Sequence, residues 1–168
     1  PPPPPPQPDN ILDSLDWGSQ LGSNTVTVYF AEVGERFAGV TSEAWEQFEI
    51  DAAMDALGMF TDYVNLTFEQ VNSSAGATFK LVKDTIGGGT LGYFYPPGDG
   101  PNEGVGVFAS NGYGWTVNGL KQGGYGWITL IHEFGHGLGL AHPHDDGGTS
   151  TIMAGVSNSG DTGLHGLN

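Results

Sequence analysis

The stretch H-E-F-G-H-G-L-G-L-A-H, from His132 to His142, decides the reading of this chain. On an α-helix a step of four residues turns about 400° and climbs about 6 Å, so His132 and His136 leave one face one turn apart, as two ligands of one ion would. Glu133 stands about 100° around from His132, beside such an ion and not on it. A continuing helix would carry His142 about 600° beyond His136 and aim it elsewhere, so the chain has to turn between them. Gly139 supplies the turn, because glycine enters the left-handed region without a Cβ penalty, and Pro143 forbids the helix from resuming.

Three neutral imidazoles leave a tetrahedral zinc with one open position, whereas a closed structural site fills it with a further protein ligand, often cysteine. The sequence therefore predicts zinc on His132, His136 and His142, with Glu133 as general base and acid. H-E-x-x-H alone occurs by chance on amphipathic helices. The longer H-E-x-x-H-x-x-G-x-x-H has a mechanical reason at each fixed position.

Composition narrows the function classes. At 168 residues the chain supports one domain, and its 38% hydrophobic and 11% aromatic content argue against disorder. Four Lys and Arg against nineteen Asp and Glu give a formal charge of -15, which disfavours nucleic acid or an anionic membrane as partner. The absence of cysteine excludes disulfides, thiolate metal ligands and a thiol nucleophile. No apolar run reaches membrane-spanning length, and Ser110 and Ser150 lack the strand-to-helix glycine elbow of a serine nucleophile.

Residues 1–9 read as a proline-rich linker and 10–168 as the folded domain, which lacks its C-terminal part on this reading. Thr25 to Phe30 alternates as a half-buried strand. A helix follows, capped at Thr41 or Ser42 and ended by Gly58, with Trp45, Phe48, Ala52 and Ala56 as its apolar stripe. Leu66 to Val71, Ala77 to Val82 and Val105 to Phe108 are further strands. Gly87 to Gly92 formally matches G-x-G-x-x-G, but Tyr93-Phe94-Tyr95-Pro96-Pro97 follows and cannot open a phosphate-binding helix.

The eleven-residue motif is that of the metzincin metallopeptidases. Its continuation G-L-A-H-P and the preceding Trp127 to Ile131 run resemble the serralysin branch. So do the order of the Val26 to Phe30 strand, the Trp45 helix, the Leu66 to Val71 strand and the Gly92-Tyr93-Phe94-Tyr95-Pro96 turn. The resemblance implies an α+β (mixed α/β) metzincin-type zinc protease domain: a twisted, mostly antiparallel-edged sheet, two main helices, and an active-site helix ending at Gly139. It implies a secreted, extracellular metalloendopeptidase whose peptide substrate lies extended along an edge strand, here expected at Gly104 to Ser110.

Two departures qualify it. The family's methionine turn carries Met-x-Tyr, and here Thr151-Ile152-Met153-Ala154-Gly155 has Gly155 where that tyrosine would stand. Either Met153 is a variant turn, or the turn lies beyond Asn168, which the loose Gly, Ser, Asn and Asp composition after Met153 favours. A C-terminal remainder of the same protein, as a separate chain, is then a candidate partner. The family's calcium-binding glycine-aspartate repeats are also missing; Asp99 to Glu103 and Asp145 to Gly148 offer calcium oxygen ligands but read more simply as solvated turns. His144 and His165 are spare imidazoles. The alternative function is a zinc-stabilised non-catalytic binding module, or an inactive N-terminal fragment of such a protease.

Overall fold

The computed structural model describes residues 21–140 and His142. Strand β1 (Thr25–Phe30) is followed by a hairpin of β2 (Arg36–Phe37) and β3 (Val40–Thr41), then helix α1 (Gln47–Gly58) and a short 3-10 turn, Met59–Asp62. Next come β4 (Thr67–Gln70), β5 (Phe79–Asp84), β6 (Gly92–Phe94), a 3-10 turn at Gly100–Asn102, β7 (Val105–Ala109) and helix α2 (Tyr125–Gly137). The main sheet has the order β4-β1-β5-β7-β6. All its pairs are parallel except β6 with β7, which is antiparallel. The expected α+β class with two main helices is therefore present, with antiparallel pairing at one edge.

Side-chain alternation divides the core. Val26, Val28 and Phe30 of β1, Phe79 and Leu81 of β5 and Phe108 of β7 face both helices, against Ala53, Ala56 and Leu57 of α1 and Leu130, Ile131 and Phe134 of α2. The opposite set, Tyr29, Val82, Val105 and Val107, packs under Phe37 and Val40 of the hairpin. Tyr29 is thus buried, not half-exposed as the alternation of β1 suggested, because a short hairpin with no long periodic run covers that face.

Helix α1 begins later than the sequence suggested. Thr41 lies in β3, and the Ser42 hydroxyl shares its one proton between the Glu43 and Ala31 carbonyls, at 3.0 and 3.4 Å, and accepts the Lys83 backbone N–H. Glu46 and Glu49 form a reciprocal capping box instead, the Glu49 carboxylate accepting the Glu46 N–H at 2.7 Å. The same carboxylate pairs with the buried Lys83 ammonium at 2.5 Å and accepts the Trp115 indole N–H at 2.7 Å. A buried charge pair thereby ties α1, β5 and the loop that leads into α2.

The expected substrate edge at Gly104 to Ser110 is corrected by the topology. β7 lies inside the sheet, paired with β5 on one side and β6 on the other, and all five of its residues are buried. Its V-G-V-F-A run is apolar on both faces, the pattern of an interior strand. The edge on this side of the sheet is β6, in the Gly92 to Pro96 segment expected to be a turn. Gly106 of β7 leaves room for the Phe94 ring, since a methyl group there would stand 2.5 Å from Phe94 Cε2. Phe94 also packs on Phe79 at 4.9 Å and Phe134 at 6.4 Å between ring centroids, which fixes β6 against α2.

Candidate metal centre and active site

Helix α2 carries His132, Glu133 and His136 and stops at Gly137, with Leu138 as its cap. Gly139 follows in the left-handed region at φ 96°. Its N–H donates to the His136 carbonyl at 2.9 Å, and the Leu140 N–H donates to the Gly135 carbonyl at 2.9 Å. This pair of bonds is the Schellman arrangement that closes helix ends with a left-handed residue. The bend lies at Gly139, as the sequence predicted, although the helix proper finishes two residues earlier.

The bend brings the third imidazole back. The His132 and His136 Nε2 atoms are 3.2 Å apart, His132 and His142 3.1 Å, and His136 and His142 3.0 Å. An ion about 2.0 Å from each of three tetrahedral nitrogens would space them about 3.3 Å apart. The triangle is therefore of the size that a transition-metal ion demands.

The donor chemistry fits as well. His136 Nδ1 lies 2.8 Å from the Leu140 carbonyl oxygen, a contact that Nδ1 satisfies as donor. That tautomer leaves the Nε2 lone pair directed at the centre, the outer-shell arrangement common to metal-bound histidines. Among the described residues, these three histidines are the group of metal-ligating side chains with converging donor atoms.

Glu133 is 7% exposed, and burial pushes its carboxyl up to about 8. A divalent cation beside it favours the ionised form and opposes that rise. The carboxylate stem lies over the β6 edge: a methyl group at Gly92 would stand 3.0 Å from Glu133 Cγ. Two parts of the site escaped the sequence reading, namely the Leu140 carbonyl and Gly92. The Leu140 role is a backbone one and leaves no side-chain signature, whereas the aromatic triplet Tyr93-Phe94-Tyr95 did carry the strand preference of β6.

Over 106 residues the chain is 37% identical to Serralysin A and 38% identical to Serralysin C, both of Dickeya chrysanthemi. Over that region the chain is similar to the serralysins. The aligned region is 58% of this chain and 21% of each relative, so the serralysin-like chain spans about a fifth of the length of the curated relatives it matches. No protein-family model matches it. Its fold overlays the structure of myroilysin with a TM-score of 0.53 at 18% identity, covering 76% of this chain and 54% of that one.

Met153, His144, His165 and the Asp145 to Gly148 turn lie outside the described residues, as do residues 1–9. The Asp99 to Glu103 turn is described and holds the short 3-10 helix.

Replacing Gly139 with Ala places a Cβ in the left-handed region at a cost of about 1–2 kcal/mol. The expected result is a lower melting temperature together with weaker zinc binding in competition with a chelating dye. An unchanged zinc affinity would show that the bend does not position His142.

Proposed function

We propose that this chain forms the catalytic centre of a zinc-dependent endopeptidase. The observation that carries the reading is the convergence of the three Nε2 atoms to within 3.0–3.2 Å of one another, with the buried Glu133 alongside. His132, His136 and His142 would hold zinc, which when bound would supply activation of a water and polarisation of the scissile carbonyl. Glu133, next to His132 and walled from bulk solvent, accepts the proton of the attacking water and returns it to the leaving amine. No side chain is acylated on this route.

The open edge of β6 supports an extended substrate. Leu91 accepts the Ala109 N–H and Tyr95 donates to the Val105 carbonyl, so alternate residues of the strand turn their backbone groups toward β7. By the same alternation Gly92 and Phe94 turn theirs outward, where a peptide can add as a further strand beside Glu133. Secreted, extracellular action belongs to the same proposal. It rests on the resemblance to serralysins; among the described residues no helix is long and apolar enough to cross a membrane.

A casein digestion with and without a chelator tests the reading. Cleavage that stops on chelation and returns with stoichiometric zinc is the expected result. Zinc that raises the melting temperature without any cleavage would assign the site to a non-catalytic module or to an inactive part of a larger enzyme.

A further inference from the structure

The half-exposed stripe of α2 does not end at the metal centre. Tyr125 precedes His132 by seven residues, which is within about 20° of two full turns, so both lie on one helix face about 10 Å apart. Ile128 lies between them on that face, and all three are partly exposed. Tyr113, 74% exposed, stands edge-on to Tyr125 with ring centroids 4.9 Å apart.

The loop bearing Tyr113 is held in place from both sides. At Gly112 a methyl group would come within 3.3 Å of Leu91 Cδ2, and at Gly114, with φ 83°, within 2.8 Å of Tyr125 Cβ and 2.7 Å of the Gly126 nitrogen. The loop thus bridges the residue that precedes β6 and the first turn of α2.

Direction follows from two contacts. Gly92 lies against Glu133, and Gly137 lies against Phe94, where a methyl group would meet the ring at 2.7 Å. Strand and helix therefore advance together: two strand residues cover about 6.6 Å and four helix residues about 6 Å. Tyr125 lies eight helix residues, about 12 Å, before Glu133 and is thus level with a point about three to four strand residues before Gly92. Antiparallel pairing, the slightly more stable kind, sends the substrate past Gly92 toward that point with its C-terminal side leading.

We propose that Tyr113 and Tyr125 form an aromatic subsite that selects a large apolar or aromatic side chain about three to four residues to the C-terminal side of the cleaved bond. The inference rests on the endopeptidase reading above. Two tyrosines suit this task because each offers a large rigid face at low entropic cost and keeps its hydroxyl in water.

The test uses the full chain with zinc bound. Cleavage of a mixed peptide library, read by mass spectrometry, is expected to show Phe, Tyr, Trp or Leu enriched about three to four residues after the cut. For a matched peptide pair with Phe or Ala at that position, Tyr113→Ala should lower the Phe-over-Ala ratio of kcat/KM about three- to tenfold. The change should fall on KM, Tyr113→Phe should restore the preference, and Tyr63→Ala, an equally exposed tyrosine elsewhere, should leave it intact. Binding of the Phe peptide to the Glu133→Gln protein, followed by fluorescence, should weaken by the same factor when Tyr113→Ala is added.

Cleavage without preference at that position, or a preference untouched by Tyr113→Ala, overturns the subsite alone. An aromatic preference on the N-terminal side of the cut overturns the assigned direction and the subsite with it. Absence of chelator-sensitive cleavage overturns the endopeptidase reading and the subsite together.

Discussion

Changing Glu133 to Gln is expected to leave zinc bound at the parent stoichiometry while peptide turnover falls about 10²–10⁴-fold, the usual contribution of a positioned general acid–base group. Glutamine keeps the length and shape of the side chain, so the packing of Glu133 Cγ over Gly92 survives the change. The three imidazoles are untouched, since the Glu133 side chain is not among the converging donor atoms. What is lost is a group that can hold a proton between the attack of water and the departure of the amine. The measurement is kcat on a fluorogenic peptide, paired with metal analysis of the same preparation. Turnover within tenfold of the parent would remove Glu133 from the reaction. Loss of zinc along with turnover would mean that the residue serves the metal and not the proton.

The convergence of the three histidines was legible because its constraints are local. His132, Glu133 and His136 occupy one helix, and Gly139 with its left-handed φ and two reciprocal backbone bonds turns the chain within the next four residues. Spacing alone carries that information. The strands β1, β4, β5 and β7 were legible from their apolar runs to within two residues at each end, and the edge was not. Sheet order depends on which strand each run pairs with, and no local feature of Val105 to Ala109 names its neighbours. Its continuous burial was nevertheless visible as apolar residues on both faces, which argued for the interior position it takes. β6 was missed because three residues between glycines and two prolines resemble a turn, although a proline just past a short strand is what a sheet edge tolerates. The hairpin β2–β3 left still less trace, at two residues per strand.

The Lys83 and Glu49 pair was illegible for a different reason. A lysine at the end of β5 and a glutamate early in α1 each look like solvent-facing charges, and only the fold places their side chains at 7% and 4% exposure. Lys83→Met is therefore expected to destabilise the protein by about 3–5 kcal/mol, because it leaves the Glu49 carboxylate buried without its cation. Against a total of about 5–15 kcal/mol this is a large fraction of the stability, and for a chain of this size about 2–4 °C of melting temperature goes with each kcal/mol. The loss should be nearly independent of salt, since the pair is shielded from mobile ions. Adding Glu49→Gln should recover at least half of it: a neutral amide can still accept the Trp115 indole N–H, and no unpaired charge then remains in the core. Urea denaturation of the parent, the single variant and the double variant measures both steps. A single variant within 1 kcal/mol of the parent, or a double variant no better than the single, would show that the pair does not hold α1 to β5. The consequence reaches the histidine cluster, because Glu49 also anchors Trp115 in the loop that leads through Gly119 and Gly124 into α2. Partial unfolding of that loop should therefore weaken zinc binding in the Lys83→Met protein before the sheet itself opens, and hydrogen exchange at residues 115–125 relative to β5 would register the order.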